Sequence, residues 1–319
     1  MTLRARLYDA HGEDRDIELT SEKIGQIDDR HLLWVDIDER SDEDVGTLAK
    51  ALELEPRLAD QLRTARGQAR LIRFPDRILI TLGALERSGD KISRGELDVL
   101  VGRNLVVTVH DGPLTAIEDF EEELKDESEL GKLEAGAFMT ALVDAVLGTY
   151  FREIDLMERD IEALDQVALR QGGGSDFLSA VVALRQRIAI VRRALTPNRD
   201  ALSPIVRPDF EVHEDLVRAW PGTIDRLERA IDGVDKAREL LVGSFDIYLG
   251  RNAQRSNDVM KTLTMLSAIA LPAIVLAGIM GMNFQMPFFE QTDNFWVVIG
   301  AMGLFAVGIL MFSRWRHWI

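Results

Sequence analysis

The chain has 319 residues, 38 Lys and Arg against 54 Asp and Glu, a formal charge of −16, and no cysteine. That length allows roughly two domains, and 46% apolar residues are enough to build a core. The acidic surplus excludes wholesale nucleic-acid binding, which needs basic stripes against phosphate, and the lack of Cys excludes a disulfide framework, a thiol nucleophile and a Cys-type zinc site.

The charged beginning, MTLRARLYDAHGEDRD, has no signal-peptide pattern, so a cytosolic first domain is expected. The runs HLLWVDID (31–38), RLIRFPDRILITLGAL (70–85) and ELDVLVGRNLVVTVH (96–110) read as strands or hairpins, with one helical stretch over 42–62. Asp111-Gly112-Pro113 is a turn signal, after which nearly everything reads as helix. The first part is therefore an α/β domain with a mostly buried sheet. A long amphipathic helix is expected over 135–170, broken by Gly172-Gly173-Gly174, with Ser175 or Asp176 capping the next helix. The triple glycine lacks a Lys-Ser/Thr pair and follows no strand, so it reads as an interhelical loop rather than a phosphate cradle. The next helix covers 177–195 and is expected to stop at Thr196-Pro197.

Beyond Pro221 no proline occurs until Pro272, and Ile224, Leu227, Ile231, Val234, Leu241, Phe245 and Tyr248 form one stripe at helical spacing. A stalk helix over 223–261 would reach about 60 Å and run straight into an apolar segment. Packing against symmetry copies is expected to stabilise it, because helix propensity alone rarely supports such length.

Residues 262–282 (TLTMLSAIALPAIVLAGIMGM) are uncharged, and at 1.5 Å per residue they cross about 30 Å, the depth of a bilayer core. Residues 295–312 (FWVVIGAMGLFAVGILMF) form a second uncharged run. The loop 283–294 carries Glu290 and Asp293, whereas Arg251, Arg255, Lys261, Arg314 and Arg316 flank the pair of runs. The positive-inside rule then puts both termini in the cytoplasm of a multi-pass inner-membrane protein, with Trp296, Trp315 and Trp318 at interfacial depth. One hairpin encloses no pore, so either several chains surround an axis or the hairpin only anchors a cytosolic domain. No P-loop, HExxH or nucleophile elbow is present, so an enzyme is not expected.

The tripeptide Gly281-Met282-Asn283, followed by Phe284, stands at the end of the first run. There it resembles the Gly-Met-Asn signature of the CorA family of divalent-cation transporters. The resemblance extends through Asn257-Asp258-Val259-Met260-Lys261, Leu263-Thr264, Pro272 and Ala277-Gly278-Ile279 to the basic-aromatic tail Arg314-Trp315-Arg316-His317-Trp318, and covers essentially the whole chain. It implies an α+β/α membrane protein built as a homopentameric funnel. The parts would be a cytosolic α/β and helical domain (1–222), a stalk (223–261), a pore helix (262–282), an outer loop (283–294), a second transmembrane helix (295–313) and a basic tail (314–319). It implies a selectivity filter at Gly281, Met282 and Asn283, and a pore wall at Asn257, Met260, Leu263, Ser267, Leu271 and Gly278. No cofactor is implied, only a transported divalent cation, with self and membrane as partners and no nucleic acid.

The residue chemistry agrees with that resemblance. Mg²⁺ prefers oxygen ligands and sheds water reluctantly, so a ring of Asn283 amide oxygens would select the hydrated ion, with a similar ring at Asn257. Met260, Leu263 and Leu271 would gate by dewetting, and Glu290 and Asp293 would concentrate cations at the mouth. Three departures leave room for the zinc-transporting ZntB branch, proton-coupled or not, beside Mg²⁺, Co²⁺ or Ni²⁺. Met286-Pro287 is followed by Phe288 instead of Glu; Ile274 stands where many magnesium-transporting members have Thr; Gly222 takes the place of a sensing Asp, with Asp225 one turn along.

Overall fold

The computed structural model describes residues 3–9, 14–24, 27, 30–89, 91–126, 134–169, 174–206, 214–282 and 292–315. It divides into two units, Met1–Ser244 and Phe245–Ile319.

The first unit is built on a seven-stranded sheet in the order β2-β1-β3-β7-β6-β5-β4. The strands are β1 (Leu3–Asp9), β2 (Arg15–Asp16), β3 (His31–Ile37), β4 (Arg70–Arg73), β5 (Ile78–Ser88), β6 (Lys91–Gly102) and β7 (Leu105–His110). All pairings are antiparallel except the central β3–β7 pair, which is parallel from Leu33↔Leu105 to Ile37↔Val109. Strand β3 is apolar on both faces because helices cover both. On one face Leu33, Val35 and Ile37 join Leu7, Val107 and Val109 and pack on Val45 and Leu48 of α2 (Asp42–Ala51) and Leu58 and Leu62 of α3 (Pro56–Arg63). On the other face Tyr8 and Trp34 meet Phe120 of α4 (Thr115–Asp126) and Phe138 of α5 (Ala135–Leu169), with ring centroids 5.0–5.9 Å apart.

The helix-like stretch over 42–62 is helical and is divided into two helices. Ser41 caps α2 by accepting the Asp44 N–H at 2.9 Å, and Pro56, with no N–H to offer, begins α3 instead of continuing α2. A four-residue α1 (Ser21–Ile24) precedes β3.

Helix α6 (Gly174–Leu202) does not stop at Pro197, as the sequence suggests, but carries the proline inside it and ends in a 3₁₀ turn, Ser203–Val206. Tertiary contacts hold the helix together past the missing donor. Asn198 Oδ1 accepts the Gly83 N–H at 2.7 Å, its Nδ2 donates to the Gly83 carbonyl at 3.0 Å, and the Tyr150 hydroxyl donates to that carbonyl at 2.9 Å. Beyond Thr81, where β4 ceases to pair with β5, the Asn198 amide thus substitutes for a neighbouring strand.

Helix α7 (Glu214–Met280) is 67 residues long and begins before Pro221, earlier than the proline pattern indicates. Of its stripe, Leu227, Ile231, Val234 and Leu241 are buried within the same chain, whereas Ile224, Phe245 and Tyr248 are only partly covered. Gly233 faces Ile154 of α5, and Arg226–Asp144 (3.3 Å) and Lys236–Glu158 (3.0 Å) tie α7 to α5, with Arg192–Asp235 (3.0 Å) to α6.

Buried ions pin the sheet. Arg40 bonds Asp98 at 2.5 Å and Asp111 at 3.1 Å, while Thr81 donates to Asp98. On the opposite face Asp36 receives Arg4 (2.9 Å), Thr108 (2.5 Å) and His110 Nε2 (3.2 Å), and His110 Nδ1 donates to the Gly112 carbonyl at 2.7 Å. Two acceptors on one imidazole favour the doubly protonated ring. Burial alone would lower the His110 pKa, but Asp36 and the Gly112 carbonyl outweigh it and raise it. Burial would likewise raise that of Asp36, but His110, Thr108 and Arg4 bring it down. A raised histidine stabilises fully below its ordinary 6.5 and loses that contribution as pH rises through its folded value. A depressed carboxylate stabilises above its ordinary 3.8 and loses that as pH falls. The melting temperature of the intact protein is therefore expected to drop by about 3 °C as pH rises from 6.5 to 9. His110→Gln should flatten that slope in a thermal scan, and an unchanged slope would remove the pair from the account.

The second unit contains the remainder of α7 from Phe245, about 54 Å of helix, and α8 (Thr292–Trp315). Helix α8 starts within the predicted outer loop because Thr292, Asp293 and Asn294 form its first turn, where such residues are favourable. Two stretches, within Gly222–Met280 and Asn294–Trp315, are long and apolar enough to span a membrane.

Candidate functional site

Among the described residues no group of three or more His, Cys, Asp or Glu side chains is placed to hold a metal ion. The apolar half of α7 offers a candidate site built of neutral groups.

Successive residues turn by about 100° around a helix. The spacing 3, 3, 4, 4 and 7 then brings Asn257, Met260, Leu263, Ser267, Leu271 and Gly278 onto one face of α7. All six are exposed in the single chain, with Met260, Leu263 and Leu271 at 60, 57 and 64%. Nothing lies within 4 Å of a Cβ built on Gly278, so the face is open there too. Ile274 shares this face and is exposed.

Helix α8 decides which face stays open. Its covered positions Val298, Met302, Ala306, Ile309 and Ser313 form a stripe at spacings of 4, 4, 3 and 4. The partly covered positions of α7 are mainly Met265, Ile269, Pro272, Ala273 and Met280, and these point about 180° away from the Met260–Leu271 face. The Ser313 hydroxyl donates to the Met265 sulfur at 2.7 Å, which fixes the two helices as an antiparallel hairpin. The Thr262 and Thr264 hydroxyls are satisfied locally, donating to the Asp258 carbonyl (2.9 Å) and the Met260 carbonyl (2.8 Å), as an apolar medium requires.

The helix ends through Gly281 N–H to the Ala277 carbonyl (3.0 Å) and Met282 N–H to the Ile279 carbonyl (3.1 Å). Gly281 and Met282 are both exposed there. Asn283 and Glu290 lie outside the described residues, and Asp293 is placed only as backbone in the first turn of α8. Sequence reasoning missed the α8 stripe, although its spacing was readable, and it missed Asp246, an exposed carboxylate on the same face of α7 as Asn257 and three turns before it. In the first unit Gly222 and Asp225 are both exposed.

The fold has counterparts among known proteins. The family described as "CorA-like Mg2+ transporter protein" matches residues 29–314. A "Cobalt/magnesium transport protein CorA" of Thermotoga maritima is 27% identical over 59% of this chain and 54% of its own, so the chain spans about half the length of that relative. A "Zinc transport protein ZntB" of an Enterobacter species is 22% identical over 86% of this chain and 80% of its own. Among solved structures, that of a CorA magnesium transporter from Methanocaldococcus jannaschii superposes with a TM-score of 0.80 at 22% identity, covering all of both chains.

Proposed function

The chain belongs to the family of CorA-like Mg2+ transporter proteins, and on that premise we propose that it passes divalent cations, Mg²⁺ first, through a membrane pore lined by α7. Five copies surround the axis, both termini face the cytoplasm, and the Gly281-Met282-Asn283 ring meets the ion outside. The observation that carries this reading is the open face of α7. Met260, Leu263, Ser267, Leu271 and Gly278 are turned away from α8 and carry no charge, and the face leads to the Gly-Met-Asn tripeptide. A neutral, weakly binding wall lets an ion leave as well as enter. Asn283 and Asn257 hold the hydrated cation by amide oxygens, Met260, Leu263 and Leu271 form the constrictions, and Asp246, Glu290 and Asp293 draw cations toward the two mouths. An inside-negative potential of 100 mV favours the uptake of a divalent ion by about 4.6 kcal/mol, so no nucleotide-driven step is required.

A second reading, zinc transport, is favoured by Ile274 on that face and by the ZntB relative.

The test is flux into proteoliposomes against a panel of Mg²⁺, Co²⁺, Ni²⁺ and Zn²⁺, with and without an imposed pH gradient. Mg²⁺ flux is expected to lead, and to fall about a hundredfold in Asn283→Ala, the loss of a hydrogen bond to a charged group at 1.5–3 kcal/mol, while assembly is retained. Flux of Zn²⁺ alone would favour the second reading. Absence of any flux would leave a membrane-anchored protein that transports nothing.

A further inference from the structure

The three basic residues of α7 in the second unit, Arg251, Arg255 and Lys261, are not spread around the helix. At 100° per residue Arg251 and Arg255 fall within about 50° of the direction in which α8 lies and Lys261 about 75° from it, and none falls on the open Met260–Leu271 face. The Ser313–Met265 contact brings Arg314 and Trp315 to the same end of the hairpin, about one turn from Lys261. All four cations are exposed. Trp315 is 76% exposed and has its ring against Phe312, at 6.1 Å between centroids. Asp258 is the one carboxylate in this sector among the described residues. It is occupied by Lys261 (3.8 Å) and Gln254 (3.2 Å), which leaves the belt with a net charge of about +3.

We propose that this belt docks the headgroups of anionic phospholipids in the leaflet where α7 enters and α8 leaves the membrane. Positive charge at that depth meets phosphate, and an indole beside it sits at the headgroup level with its apolar edge toward the acyl chains. The segregation supplies the reason for the arrangement. Cations placed on the open face would confront any ion path there, whereas on the α8 side they are kept off it. The inference rests on the two helices crossing the bilayer and is independent of which ion, if any, is moved.

Native mass spectrometry of the detergent-solubilised full-length protein titrated with phosphatidylglycerol or phosphatidylcholine tests it. Phosphatidylglycerol should be retained about tenfold over phosphatidylcholine, and the preference should fade in high salt. Arg255→Gln with Arg314→Gln should reduce the preference to about one, whereas Arg255→Lys with Arg314→Lys should keep it, which separates lost charge from lost folding. Arg229→Gln in the first unit should change nothing. Equal retention of the two lipids by the unaltered protein, a preference that survives the double Gln variant, or displacement of the lipid by millimolar glycerol 3-phosphate would each overturn it.

Discussion

A lysine in place of Leu271 is expected to abolish divalent influx without preventing assembly. Leu271 lies on the open face of α7, 64% exposed and turned away from α8. In the proposed pentamer the substitution makes a ring of five ammonium groups. At about 6 Å in a water-filled path each opposes a divalent ion by about 1.4 kcal/mol, so five sum to about 7 kcal/mol, or about five decades in rate. Leu271→Gln, neutral and of similar length, should hold flux within about tenfold. Met311→Lys, on an exposed face near the end of α8, should also leave flux within a few-fold, because the long side chain can reach the headgroups. Flux traces from reconstituted variants of equal oligomeric state decide the matter. An assembled Leu271→Lys protein that still conducts would show that this face does not line the path.

Gly83→Ala is expected to be the most destabilising single change in the first unit. A Cβ at Gly83 would overlap the backbone carbonyl of Ala194, and backbone cannot rotate away as a side chain can. Any retreat of α6 also stretches the bonds from Asn198 and Tyr150 to the Gly83 peptide. Strain together with unsatisfied buried groups amounts to about 3–5 kcal/mol, a large part of a typical 5–15 kcal/mol. The melting temperature should fall by about 10 °C or more, or the protein should fail to accumulate. Gly46→Ala is the contrast. It lies in α2 with nothing within 4 Å of its Cβ, so alanine should stabilise by about 0.5–1 kcal/mol. Near-ultraviolet circular dichroism on heating separates the two outcomes, and equal melting of Gly83→Ala and the unaltered protein would refute the close-approach argument.

Features that depend on local spacing were legible in the sequence. The strands β3, β5, β6 and β7, the long α5, the stripe at Leu227, Ile231, Val234 and Leu241, and both apolar spans follow from periodicity and from runs without charge. Features set by distant partners were not. Pro197 reads as a stop, and only the grip of Asn198 on a strand 115 residues earlier explains why α6 continues. The stalk stripe is readable, but the partner that covers Leu227, Ile231, Val234 and Leu241 is not, and that partner proved to be the chain's own helices. Strand β1 escaped notice because LRARLYD alternates charge with hydrocarbon on a short run and gains its place only by pairing with β3. At the candidate site the one-sided spacing on α7 was visible, whereas the direction of α8, which leaves that face open, required coordinates.

The parallel pairing at the middle of the sheet has a consequence for biosynthesis. Strand β3 finds its central partner 72 residues later, at Leu33↔Leu105, and until His110 has been made a strand with hydrocarbon on both faces has only β1 beside it. Pairings of such high sequence separation form slowly, and a lone two-stranded ribbon is at best marginally stable in water. The newborn polypeptide thus passes through an interval of aggregation risk that ends when β7 emerges, well before the first hydrophobic span is synthesised.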